Sequence, residues 1–159
     1  MIMKGLKAKK STTYDLVVTA LLIALVLIAI KFINIKLPIG SQGGLIHFGN
    51  VMIYIATLVF GTRKGAIAGS VGMALFDILS GWAVWAPFTF VIRWIMSEII
   101  GILAIRGGKN GHHVGWNITA IAVSGVWMIV GYYCTEIILY RNWIVALGSM
   151  PGDFIQVVV

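Results

Sequence analysis

The chain has 159 residues, of which 60% are hydrophobic and only 11% are charged. A soluble domain carries about a quarter charged residues, so this composition excludes an ordinary soluble protein and indicates an integral membrane protein in contact with lipid. The length allows one domain, residues 1–159. The net charge of +7 does not indicate nucleic-acid binding, because the basic residues lie in short breaks between apolar segments.

Five apolar segments are the main predicted elements. The first, about 13–33, is long enough to cross roughly 30 Å of hydrocarbon. A glycine-rich connection follows it, INIKLPIGSQGGLIHFGN. The remaining four segments are predicted at about 51–60, 66–80, 88–105 and 114–139. Their lengths predict helices, and therefore an all-α membrane protein.

A sixth helix is predicted to begin only near the end of the chain. YRNWIVALGSMPG, with its glycines and proline, is expected to be a loop, and GDFIQVVV to start the helix. Eight residues at about 1.5 Å each are too short for a bilayer, so the sixth helix is expected to be incomplete in this chain.

The distribution of basic residues predicts how the helices are oriented. With a cytoplasmic N-terminus, eight basic residues fall on that side: Lys4, Lys7, Lys9, Lys10, Arg63, Lys64, Arg106 and Lys109. Three fall on the other side: Lys31, Lys36 and Arg141. This asymmetry favours a multi-pass protein of the cell membrane with its N-terminus inside and its long connections outside.

Small residues four apart predict close helix packing. In the third segment Gly65, Gly69 and Gly72 share one helical face, and we expect that face to pack inside the bundle. The first segment has Ala20 and Ala24 at the same spacing. Taken alone, this second pattern also favours internal packing.

Charged residues within the apolar segments are the strongest functional signal, since such groups face a cavity or a partner. The predicted topology places Asp77, Arg93 and Glu136 at similar depth near the outer face. Glu98 lies further in, and a structural ion pair explains it. A structural ion pair of Arg93 with Glu136 or Asp77 remains one alternative.

The other alternative is a ligand cavity open to the outside, with Arg93 as a hydrogen-bond donor. Thr89, Arg93 and Ser97 repeat every four residues, so the fourth helix has one polar face. Trp82, Trp85 and Trp94 are candidate walls, because flat aromatic walls with a few polar groups suit a small planar molecule. Tryptophan is also common at membrane interfaces without any such role.

Enzymatic chemistry is not expected of this chain. Cys134 is its one cysteine, which excludes an internal disulfide and a thiolate metal cage. No histidine lies within an apolar segment, and no nucleophile–base pair, P-loop or metal-ligand spacing occurs. The sequence therefore predicts a protein that is not an enzyme and has no metal or cofactor.

Several motifs together resemble one family of membrane proteins. They are a glycine-rich loop ending in HFGN, then FGTRKGAIAG, DILSGW and WAPFT. From about Asp15 to Gln156 the chain resembles the substrate-binding S components of energy-coupling factor (ECF) vitamin transporters. Within the riboflavin-transporter-like group, it is most similar to S components for hydroxymethylpyrimidine and vitamin B6.

The resemblance implies a six-helix bundle of the S-component type and high-affinity vitamin uptake. It implies a site near the outer face, walled partly by the first outer loop, so that His47 and Asn50 join the candidate ligand-binding residues Arg93, Glu136, Asp77, Trp82, Trp85 and Thr89. It also implies that Ala20 and Ala24 dock onto a membrane-embedded T component, which couples to two cytoplasmic ATPases that hydrolyse ATP.

The resemblance does not identify which vitamin the protein binds. The tryptophans, Arg93 and Glu136 favour a pyridoxine-like ligand or hydroxymethylpyrimidine, with riboflavin and pantothenate next. An alternative function is a non-transporting structural or assembly subunit, which would need no outer pocket.

Overall fold

A computed structural model gives the fold and describes residues 12–37, 44–106 and 109–158. Most of these residues form helices: α1 (Thr12–Phe32), α2 (Gly49–Phe60), α3 (Thr62–Leu79), α4 (Ala86–Ile100), α5 (Val114–Tyr140) and α6 (Trp143–Val158). A π-helical turn, Gly101–Ile105, continues α4. Part of the predicted orientation depends on residues outside the described ranges, namely Lys4, Lys7, Lys9 and Lys10.

In the part of the chain that the structure describes, three helices are long and apolar enough to cross a membrane: α1, α5, and α4 with its π-helical turn. Helices α2 and α6 are shorter but also apolar. Along α1, Leu22, Val26 and Ile30 are buried, whereas Leu21 and Leu25 are exposed. A helix with an apolar outer face beside a packed inner face is what a membrane bundle requires, so the prediction of a mostly helical membrane protein is confirmed.

A short β-hairpin follows α1, where the sequence predicted only a glycine-rich connection. Strands β1 (Asn34–Leu37) and β2 (Gly44–His47) pair antiparallel, with Asn34 opposite His47. The Asn34 side chain donates hydrogen bonds to the carbonyls of Ile30 and Lys31, at 2.8 and 2.9 Å, and so satisfies two carbonyls at the end of α1. Strand β2 packs against α6.

The glycines of α3 allow close packing on both neighbouring helices. A Cβ atom on Gly69 would lie 2.6 Å from the Ile53 side chain of α2, and one on Gly72 would lie 2.9 Å from Val26 of α1. Gly65 likewise faces α2. These contacts confirm that the small residues of the third segment pack inside the bundle, because any larger side chain would collide there.

Helix α6 corrects the sequence prediction, which assigned residues 140–152 to a loop. The helix begins at Trp143, and the Asn142 side chain accepts hydrogen bonds from the backbone N–H groups of Ile144 and Val145. Asn142 therefore caps the helix. Pro151 lies inside α6 and lacks an N–H group, but membrane helices tolerate proline where neighbouring elements supply other partners.

The helices run up and down, so their connections collect at two ends of the bundle. The Lys64 ammonium lies 2.7 Å from the Asp15 carboxylate, which joins the beginnings of α1 and α3. Gly101, where the π-helical turn begins, meets Thr62 at the same end. Four described basic residues predicted to face the cytoplasm share this end: Arg63, Lys64, Arg106 and Lys109. The hairpin and the α5–α6 connection lie at the opposite end.

Candidate functional site

A cavity of about 150 Å³ lies near the end of the bundle that holds the hairpin. Helices α3, α4, α5 and α6 surround it together with β2 and the α3–α4 connection. Its lining comprises Leu45, His47, Phe76, Asp77, Trp82, Trp85, Thr89, Arg93, Tyr132, Glu136, Ser149, Asp153 and Gln156. The lining thus combines aromatic walls with one cation and three carboxyl groups.

Seven of the eight residues predicted to bind a ligand line this one cavity: Arg93, Glu136, Asp77, Trp82, Trp85, Thr89 and His47. The eighth, Asn50, lies behind the lining and contacts Arg93. Trp94 was also a candidate wall, and that prediction is wrong. Its ring stacks on Phe90 at 5.9 Å between centroids, and Phe90 is on the outer surface of α4.

Arg93 is the central polar group of the cavity. It lies on α4, and only 2% of it is exposed. Its Nη1 donates a hydrogen bond to Asn50 Oδ1 and contacts the sulfur atoms of Met128 and Met96, at 3.0 and 3.3 Å. The guanidinium carbon lies 5.3 Å from the centre of the Tyr132 ring. Its Nε is buried without a hydrogen-bond partner among the described residues.

The alternative of a structural ion pair for Arg93 is wrong. Within residues 12–37, 44–106 and 109–158 the ion pairs are Lys64–Asp15 and Arg106–Glu98. The second pair, at 3.5 Å, agrees with the structural ion pair predicted for Glu98. Among the described residues, the groups in contact with Arg93 are therefore neutral, and no carboxylate lies at contact distance from its charge.

The carboxyl groups expected beside Arg93 instead engage hydroxyl groups. Asp77 is hydrogen-bonded to the Thr89 side chain. The Ser149 hydroxyl donates a hydrogen bond to Glu136 and lies 2.9 Å from the Ala146 carbonyl. These contacts leave both carboxyl groups in the cavity lining but out of direct contact with the arginine.

Several polar atoms of the cavity have no partner in the part of the chain that the structure describes. They are Oδ2 of Asp77, Oδ2 of Asp153 and Nε of Arg93. Buried polar atoms are normally hydrogen-bonded, so unpaired ones around a cavity indicate a place for a ligand or for water. Two acceptors and one donor suit a molecule with several O–H or N–H groups and at least one acceptor.

Aromatic rings form the walls around these polar groups. Trp85 packs at tilted angles against Tyr132 and Tyr140, with 6.2 Å between centroids in both pairs. The His47 ring packs against Phe76 at 6.4 Å. These rings make a cavity that accepts a flat, partly apolar molecule.

His47, at the end of β2, is a neutral member of the lining. Burial, and after it the positive charge of Arg93, lowers its pKa from 6.5 to about 3. Its Nδ1 accepts a hydrogen bond of 3.1 Å from the Gly49 backbone N–H. A neutral imidazole that accepts at Nδ1 carries its proton at Nε2, so His47 presents a donor rather than a charge.

Six lining residues were missed by the sequence analysis: Leu45, Phe76, Tyr132, Ser149, Asp153 and Gln156. Two signals could have found most of them. Ser149, Asp153 and Gln156 have helical spacing, which becomes visible once residues 143–158 are recognised as a helix. Tyr132 precedes Glu136 by one helical turn, so the two lie on one face of α5.

The fold and the cavity define a class: a helical membrane protein that encloses an aromatic and polar cavity of small-molecule size. The chain belongs to the ECF-type riboflavin transporter S component family, whose family model matches residues 10–159. Members of this family are transporter subunits rather than enzymes, and they work in vitamin uptake with a membrane T component and ATPases.

Two relatives illustrate the similarity. An uncharacterized protein in a gap 3'region of Pyrococcus woesei is 31% identical over 124 residues, which cover 78% of this chain and 80% of the relative. The thiamine precursor transporter HmpT of Lactococcus lactis subsp. cremoris (strain MG1363) is 25% identical over 144 residues, which cover 77% of this chain and 84% of HmpT.

Proposed function

We propose that this chain is the high-affinity vitamin-binding subunit of an ECF-type ABC importer and that its six helices cross the membrane with the N-terminus cytoplasmic. The distribution of charge supports this orientation. Arg63, Lys64, Arg106 and Lys109 collect at one end of the bundle, in short connections, which is the pattern of a cytoplasmic face. The cavity then opens toward the outer face, where a vitamin arrives.

The ligand that fits best is a single-ring vitamin or precursor, either hydroxymethylpyrimidine or a pyridoxine-like molecule. The cavity of about 150 Å³, with its aromatic walls and few polar groups, suits one six-membered ring with small substituents. Riboflavin, with three fused rings, is the second candidate, and pantothenate, which has no ring for the aromatic walls, is the third. HmpT, a thiamine precursor transporter, gives independent support for the pyrimidine.

The observation that carries this proposal is Arg93 itself, a buried cation in the cavity lining whose contacts among the described residues are neutral and whose Nε has no partner there. Arg93 donates to a ring nitrogen or an oxygen of the ligand. Asp77, Glu136 and Asp153 accept hydrogen bonds from its amino or hydroxyl groups. Trp82 and Trp85 enclose the ring.

The partners in this proposal are a membrane-embedded T component and, through it, two cytoplasmic ATPases that hydrolyse ATP. Ala20 and Ala24 are exposed on α1, next to the exposed Leu21 and Leu25. A surface of small and apolar side chains on an outer helix face lets another membrane helix approach closely. This exposure supports docking by Ala20 and Ala24 rather than internal packing.

Mass spectrometry of small molecules released from the protein purified out of its native membrane tests the proposal. We expect a single-ring pyrimidine or pyridine, and calorimetry with that compound should give a dissociation constant below micromolar. Release of riboflavin would contradict the assignment of the ligand. A protein that releases and binds no small molecule would favour the structural-subunit alternative.

A further inference from the structure

Asn50 is buried on α2 with 1% exposure, and its two amide atoms face different elements. Oδ1 accepts a hydrogen bond from Nη1 of Arg93. Nδ2 donates to the backbone carbonyl of Gln156, at 2.7 Å, and contacts the Met128 sulfur at 3.5 Å. One side chain therefore connects the cavity arginine on α4 with the backbone of α6.

The Gln156 side chain continues this connection to the hairpin. Its Oε1 accepts a hydrogen bond from the His47 backbone N–H at 2.8 Å, and its Nε2 donates to the His47 carbonyl at 2.7 Å. A side-chain amide thus pairs with both polar groups of one β2 residue. Arg93, Asn50, Gln156 and His47 form a continuous hydrogen-bonded row, called the amide row below.

We infer that Asn50 is a positioning residue: it aims the Arg93 guanidinium at the ligand and couples Arg93 to the Gln156–His47 pair. The HFGN motif led to the expectation that Asn50 contacts the ligand, but the structure places Asn50 outside the cavity lining. Its hydrogen bond holds Nη1, and because the guanidinium is planar this fixes the orientation of the whole group in the cavity lining. The inference rests on the proposed function only where it concerns the ligand.

Asparagine suits this position better than other side chains of its size. A carboxylate there would hold Arg93 as well, but it would neutralise the charge that a polar ligand needs, and it could not donate to the Gln156 carbonyl. Leucine would leave the arginine N–H and the carbonyl both unpaired in a buried site. The amide of Asn50 accepts from the cation and donates to α6 while remaining neutral.

The first test needs no ligand and measures hydrogen exchange at the His47 backbone amide. In Asn50→Leu and Asn50→Asp this amide should exchange about tenfold faster than in the wild type, because the row no longer holds α6 against β2. Asn50→Asp has nearly the same size, so it tests the row even if Asn50→Leu fails to fold. Unchanged exchange at His47 in a folded Asn50 variant would overturn the inference.

Thr57→Val is the matched control. Thr57 lies on the same helix, is fully buried and is hydrogen-bonded to Ser97 of α4 at 3.3 Å, and it takes no part in the hydrogen bonds of the row. This variant should lower the melting temperature while leaving exchange at His47 unchanged. Faster exchange at His47 in Thr57→Val would mean that the effect is general destabilisation and would overturn the inference.

The second test measures binding of hydroxymethylpyrimidine and pyridoxine by calorimetry. Asn50→Leu and Asn50→Asp should weaken the affinity for the bound probe about tenfold, and Thr57→Val should leave it unchanged. Wild-type affinity in a folded Asn50 variant would contradict the role of Asn50 in positioning. If the wild type binds neither probe, the proposed ligand class is wrong, and hydrogen exchange alone decides whether the row couples the two elements.

Discussion

Replacing Arg93 with methionine distinguishes a role in ligand binding from a role in stabilising the fold. The described groups in contact with Arg93 are neutral, so Arg93→Met breaks no ion pair. Methionine is similar in length and would lie beside two methionine sulfurs. The ligand-free fold should therefore tolerate the change, whereas binding should not.

The expected magnitudes follow from these contacts. Losing the hydrogen bond to Asn50 costs about 1 kcal/mol. Desolvating a buried charge that has no counter-ion in contact costs several kcal/mol. Arg93→Met removes this penalty, which offsets part or all of the lost hydrogen bond. The ligand loses one hydrogen bond from a charged donor, which weakens the binding free energy by about 1.5–3 kcal/mol. The dissociation constant then rises on the order of tenfold to a hundredfold.

Calorimetry with the released vitamin, together with ligand-free thermal melting in detergent, measures the two effects. Arg93→Met should bind tenfold to a hundredfold more weakly and melt within a few degrees of the wild type. Glu98→Gln is the matched control, because it lies on the same helix and pairs with Arg106 away from the cavity. Unchanged affinity together with a collapsed melting temperature would refute the role assigned to Arg93.

Three further predictions concern other parts of the molecule. Ala24→Trp should abolish co-purification with the T component without changing vitamin affinity, and loss of both would instead indicate internal packing. In a background with Cys134 replaced by serine, Arg141→Cys should react with an impermeant thiol reagent in whole cells, and His112→Cys should not. The reverse pattern would contradict the proposed orientation of the chain in the membrane. Between pH 7 and pH 5 the wild type should lose more thermal stability than His47→Gln, because the unfolded chain takes up a proton near pH 6.5 whereas the pKa of folded His47 is about 3. Equal pH dependence of the two proteins would contradict a buried neutral imidazole.

Charged groups in apolar helices were the part of the site that the sequence predicted best. Placing an ionised side chain in hydrocarbon is costly, so Asp77, Arg93 and Glu136 had to share a polar interior. Helical spacing and the order of the segments then placed them at similar depth. The same reasoning left an ion pair of Arg93 with a carboxylate open as one alternative, because opposite charge indicates attraction but does not exclude a neutral amide from a distant helix.

The features that were missed have two causes: a local pattern that was interpreted as a loop, and contacts between segments far apart in the chain. Asn142 caps α6 and Pro151 remains inside it, but glycine and proline are typical of loops when only neighbouring residues are considered. Gln156 meets His47 from 109 positions away, and no local pattern indicates such a pair. Asn50 was found through a motif, whereas its geometry depends on three separate helices.

The two ends of helix α3 have different roles, one in helix packing and the other in lining the cavity. Toward its beginning, Gly65, Gly69 and Gly72 allow no larger side chain, because Cβ atoms there would collide with α2 or α1. Toward its end, Phe76 and Asp77 line the cavity. Substitutions at the second end change the chemistry of the cavity while leaving the helix contacts of the first end intact. A gene duplicate of this chain could therefore acquire a new ligand through changes at the cavity end of α3 and retain its bundle unchanged.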